Sequence, residues 1–157
     1  MALVVEDGSN VSGANTHVTL AEFKAWADER GITYDNDAKI TNHIYRAMDF
    51  IERQNFQGRK ANETQPLQFP RTDVMIDGYY VDANEIPKEL KIALYEQINI
   101  EHLTFSKLNT VDRRTISESI GDISVTYASN SSSQTDTPAL TLALKKLINS
   151  PQQVTRS

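Results

Sequence analysis

Two stretches of this chain carry apolar residues at helical spacing, and the segment between them cannot be a helix. Ile40, Ile44, Ala47, Met48 and Ile51 recur every three or four residues, as do Leu90, Ala93, Leu94, Ile98 and Leu103. Between them Gly58, Pro66, Pro70 and Pro87 break any long helix from Phe56 to Pro87, because proline lacks an amide donor and restricts the residue before it. The chain is thereby committed to helices packed around an irregular middle. The spacing predicts one helix from about Ala38 to Gln54 and another from Pro87 to near Phe105–Lys107.

The flanks add shorter elements. Met1 to Val18 reads as a strand or extended arm followed by a turn-rich loop. Thr19 with Glu22 three residues on is a capping box, and the helix it opens ends at Gly31. Val74–Ile76 and Tyr79–Val81 flank Asp77-Gly78, a turn signal for a hairpin. A second hairpin is predicted around Gly121-Asp122, where Ile116, Ile120, Ile123, Val125 and Tyr127 follow period two. A polar linker, Ser129 to Thr137, precedes a last helix that starts at Pro138 with Leu140, Leu144, Leu147 and Ile148, and Pro151 ends it. The expected fold is mainly α: a small bundle of about four helices, with one or two β-hairpins and a C-terminal docking segment. Its parts are a bundle over 1–128, a linker over 129–137 and a helix with tail over 138–157.

Composition narrows the chemistry. Zero cysteines exclude disulfides, thiolate ligands and thiol nucleophiles. The first apolar run, Ala2 to Val5, is too short for a signal peptide or a membrane span, so no membrane partner is expected. A net charge of −5 argues against a general nucleic-acid binder, whose affinity comes from Lys and Arg on phosphates. Gly8 and Gly13 have P-loop spacing, but Ala14 and Asn15 stand where Lys and Ser/Thr are required. His17, His43 and His102 are far apart in sequence. His43 and His102 sit on separate helices that could meet, yet no carboxylate lies at ligand spacing beside either, so ordinary hydrogen-bonded histidines are expected. Asp73, Asp77 and Asp82 lack the dense pattern of a calcium loop and read as solvated turn carboxylates. These residues predict no catalytic, cofactor or metal site, hence no enzyme.

Three basic pairs remain: Arg59-Lys60, Arg113-Arg114 and Lys145-Lys146. Phe56, Phe69, Tyr79 and Tyr80 lie near the first, and together they are the nearest thing in the chain to a basic, aromatic platform for single strands. The plainer reading is that these aromatics pack the irregular loop onto the helices.

The opening MALVVEDG, then GANTHVTLAEFKAWADERG, RAMDFIE, FQGRKANETQPLQFPRTDV, EIPKELKIALYEQ and IGDISVTYA, resembles in order and spacing tailed-phage proteins labelled DnaT-like single-stranded-DNA-binding proteins. The last segment also looks like a hairpin of head–tail connector proteins. Phe69 departs from the pattern, in which Trp often precedes Pro-Arg. The resemblance to connectors implies a bacteriophage head–tail adaptor, a structural protein of the virion made in the host cytoplasm. Its implied partners are the portal protein, neighbouring copies in a ring of about twelve, and a tail-side connector or tail-completion protein, with DNA passing through the channel without specific binding. The portal-docking surface would then be Leu140, Leu144, Lys145, Lys146, Leu147, Ile148, Gln152, Val154 and Arg156, and the inter-subunit hairpin Ile116, Ile120, Ile123, Val125 and Tyr127. Alternatives are a single-stranded-DNA-binding protein, as the label says, and a tail-completion or terminator protein.

Overall fold

The first two helices begin where a side chain can take up their free amides. In a computed structural model, which describes residues 2–109 and 138–149, α1 spans Leu20–Glu29. Its capping box is formed: Thr19 Oγ1 accepts from the Glu22 amide at 3.0 Å, and Glu22 Oε2 accepts from the Thr19 amide at 2.6 Å. It ends in a Schellman turn at Gly31, whose φ of 61° suits glycine, with the Ile32 amide donating to the Ala27 carbonyl. Helix α2, Asp37–Glu52, is capped by the Asn36 side chain, which accepts from the Lys39 amide. Helix α3, Lys88–Asn109, follows Pro87 and runs slightly past the sequence expectation; α4, Pro138–Lys145, is the fourth.

Helix α3 is the centre of the molecule, with α2 against one side and α4 against another. Ile40, Ile44, Ala47 and Ile51 of α2 are buried together with Leu90, Ala93, Leu94 and Ile98 of α3. Burying side chains of this size stabilises by roughly 1.5–3 kcal/mol each. Helix α1 joins through Phe23 and Trp26, the latter stacked on Tyr95 of α3 at 5.5 Å between ring centroids.

The C-terminal helix packs into this bundle, so the apolar face expected to dock on a portal lies against the chain's own core. Leu140, Leu144 and Leu147 are buried in the chain's own core, and Ile148 packs against it. The turn after α4 is also clipped to the loop after α2: the Gln57 amide donates to the Leu147 carbonyl, the Asn149 amide to the Asn55 carbonyl, and Phe56 bridges Ile148. An amphipathic helix with an available apolar groove on its own chain fills that groove first, because no translational entropy is lost in doing so. Leu142, Lys145 and Lys146 stay on the outside.

The middle segment forms two antiparallel two-stranded ribbons. Strand β1, Arg59–Lys60, pairs with β2, Arg71–Thr72, an element absent from the sequence reading because two residues show no period. Strands β3, Met75–Ile76, and β4, Tyr79–Tyr80, make the expected hairpin, extended by the Val81 amide on the Val74 carbonyl. Asp77 and Gly78 both have positive φ, as a tight two-residue hairpin turn requires. Four helices and two small antiparallel ribbons thus make a mainly α domain among the described residues. The second hairpin with Ile116, Ile120, Ile123, Val125 and Tyr127, the 129–137 linker, and Gln152, Val154 and Arg156 of the tail lie outside the described residues.

Candidate functional site

Arg71 organises the surface that the middle segment presents. Almost wholly buried, it donates from Nε to the Gln57 carbonyl at 2.7 Å, from Nη2 to the Gly58 carbonyl at 2.8 Å, and from Nη1 to the Gln68 side chain at 2.8 Å. A guanidinium presents its donors in a planar fork, so one side chain satisfies a loop that has no ladder of its own. Burial lowers its pKa, with the charge of Glu52 opposing that shift. Gly58 is required here: a Cβ on it would stand 1.9 Å from the Thr72 carbonyl oxygen.

This scaffold separates the aromatics that the sequence groups together. Phe56 and Phe69 pack edge to face at 5.0 Å inside the core, as the plainer reading has it. Tyr79 and Tyr80 do not: they are 80% and 73% exposed at the hairpin tip. Between them and Lys88 lies a shallow recess of about 250 Å³, walled by Ile76, Val81 and Pro87 and bordered by Glu85 and Glu89. Arg59 and Lys60 stand exposed on the adjoining ribbon. Gln57 ties the parts together, accepting from the Met75 amide and donating to the Lys146 carbonyl.

Local charge is mixed. Arg59 Nε lies 3.5 Å from Asp73, and Lys146 donates to Asp77 at 2.8 Å, so both aspartates serve turns and exposed pairs. Asp82 accepts from the Asn84 amide. Lys145 is exposed, and Arg113-Arg114 lies outside the described residues. A neighbouring cleft of about 330 Å³, which shares Glu85 with the tyrosine recess, is acidic: Glu6, Asp7 and Glu22 also line it, with Lys91 its one cationic residue. The loop with P-loop spacing borders it, and its amides are already spoken for. Glu6, fully buried, accepts from the amides of Gly8, Asn10 and Val11 at 2.8–2.9 Å. An internal carboxylate fills the place a phosphate would take.

His102 makes the ordinary hydrogen bond expected of it, but to a carboxylate that local spacing does not show. His17 is fully buried, edge-on to Phe69, with Nε2 3.5 Å from Glu52. His43 of α2 and His102 of α3 do meet, their rings 5.9 Å apart, and a carboxylate is present after all. Asp35, on the loop between α1 and α2, brings Oδ2 to 3.0 Å from His102 Nδ1 and 3.7 Å from His43 Nε2. Burial lowers the pKa of His43; Asp35 opposes this, and the charges of His102 and Arg46 add to it. For Asp35, burial acts to raise the pKa, but the His102 hydrogen bond and the Lys39 charge outweigh it and hold the carboxyl low. The sequence signal for this cluster was available only across three segments, which is why local spacing missed it.

Comparison with known proteins gives one family. The profile described as "Putative DnaT-like ssDNA binding protein" matches residues 1–157, the whole chain, and the chain belongs to that family. No curated protein and no solved structure matches. This match overturns the head–tail adaptor as the leading reading, since the family identified is the DnaT-like one and not a connector family. The portal, ring and tail-side partners were implied by the connector resemblance alone and lose their support with it.

Proposed function

We propose that this member of the DnaT-like family binds single-stranded DNA through the β3–β4 tip, acting by binding and not by catalysis. The observation that carries the reading is Tyr79-Tyr80, two neighbouring aromatic rings left in solvent on a scaffold that buries Phe56 and Phe69. Bases stack on such rings regardless of sequence, and each stacked base is worth roughly 1–3 kcal/mol. Lys88 lines the same recess as the tyrosines, and Arg59 and Lys60, exposed on the preceding ribbon, are further cations for phosphates. The adjoining acidic cleft, which shares Glu85 with the recess, repels the strand on that side. With a net charge of −5 and few cations at the tip, binding is weak and strongest at low salt.

Fluorescence anisotropy with a labelled oligothymidylate at low salt tests this. The expected result is saturable binding that falls at least about tenfold in Tyr79→Ala/Tyr80→Ala and less in Arg59→Ala/Lys60→Ala. Equal binding by the wild type and the tyrosine variant would move the site elsewhere. No binding by the wild type at low salt would end the DNA reading.

A further inference from the structure

We propose that Asp35, His43 and His102 form a binding site for a divalent transition-metal ion of the zinc class, which clamps the α1–α2 loop to α2 and α3. Nothing in the DNA reading requires this site, and it stands or falls separately.

The argument begins with convergence. One donor from each residue, a carboxylate oxygen and two imidazole nitrogens, lies within 4.8 Å of the others. Both imidazoles approach the same oxygen, Asp35 Oδ2, at 3.0 and 3.7 Å. Ligands at ~2.0–2.1 Å from a tetrahedral zinc ion stand ~3.3–3.5 Å from each other, so these separations bracket the required value. The third separation, between the two imidazole nitrogens, is within 4.8 Å, and side-chain rotation closes it on the ion.

The chemistry of the donors agrees. Two imidazoles and one carboxylate suit zinc and its neighbours and are a poor set for calcium or magnesium, which prefer oxygen. His43 is nearly buried, whereas Asp35 and His102 remain partly open, leaving room for water as a fourth ligand. Lys39 Nζ lies 3.5 Å from Asp35 Oδ1, the oxygen turned from the histidines, and can stay there while Oδ2 binds the ion. The alternative is a plain Asp35–His102 pair. It accounts for one short contact but gives no reason for a second imidazole at the same oxygen.

The full-length protein, treated with chelator and then dialysed, is titrated with zinc chloride by calorimetry and with cobalt chloride by visible absorption. The expected result is one equivalent bound, with tetrahedral-type cobalt absorption. Affinity falls at least about tenfold in Asp35→Asn and in His102→Gln, each checked for folding by circular dichroism. A saturating excess of zinc raises Tm by roughly 5–10 °C. In the wild type alone, histidine NMR resonances of His43 and His102 shift on zinc addition while those of His17 do not, so the result survives a variant that fails to fold. Absence of stoichiometric binding, undiminished binding by a folded Asp35→Asn, or shifts not confined to His43 and His102 would each overturn the site.

Discussion

The helical core and the segment from Arg53 to Pro87 are held by different forces. In the core, Ile44, Ile51, Leu90, Leu94 and Ile98 are fully buried, and the helices satisfy their own amides and carbonyls. In the middle segment the two short ribbons satisfy few such groups, and buried polar side chains take their place. Gln65 donates to the Leu67 and Pro70 carbonyls and accepts from the Asn62 amide, while Arg71 serves the 56–58 turn. A loop can be buried only if its polar groups find partners, and here long side chains supply them. The lesson is functional as well as structural. A segment stiffened from within by Arg71 and Gln65 can hold Tyr79 and Tyr80 out in water.

The largest effect should come from cutting the core where the C-terminal helix joins it. Leu147→Ala is expected to cost about 3 kcal/mol, seen by denaturant unfolding, whereas Leu142→Ala, on the 64% exposed side of α4, should stay within about 0.5 kcal/mol. Equal small losses would mean that α4 is not core. Arg71→Met attacks the other region, leaving buried carbonyls without donors at a cost of about 2 kcal/mol. Hydrogen exchange should accelerate around residues 57–60 and 72–75 before it does in α2 and α3; uniform acceleration would merge the two regions into one.

A smaller effect probes a polar link inside the helical region. Glu22 both completes the α1 cap and accepts from Lys91 of α3 at 2.8 Å. Burial acts to raise its pKa, but the bonds from Lys91 and Thr19 prevail and hold it below 4.5. A depressed carboxyl stabilises the fold above its unfolded value and loses that contribution as pH falls through the folded one. Glu22→Gln should therefore cost about 1 kcal/mol at neutral pH and little in acid, flattening the stability profile below 4.5. Gly78→Ala, placing a side chain at a φ of 88° with open space around it, should cost about 1 kcal/mol by melting, mainly in the hairpin. Least of all, Tyr79→Ala/Tyr80→Ala should change stability by under about 0.5 kcal/mol while DNA binding drops, since exposed rings have little packing to lose. A large loss of stability would show that these tyrosines support the fold.

By itself the sequence determined the helices, because periodicity and caps are local: Thr19 with Glu22, Gly31, Ile40 to Ile51 and Leu90 to Ile98 each read as they fold. It also determined the Asp77-Gly78 turn, where two adjacent positive φ values demand such a pair. Tertiary structure decided whatever needed two distant segments at once. The face of α4 could serve a partner or its own bundle until the groove beside α3 was seen to fit it. Phe69 and Tyr79 belong to one aromatic cluster in sequence, yet packing buries the first and leaves the second in solvent. Asp35, His43 and His102 show no ligand spacing because their contact is made by three backbone segments brought together. Spacing along a chain reports what one helix or turn can do, and a site assembled across the core is fixed only when the core closes.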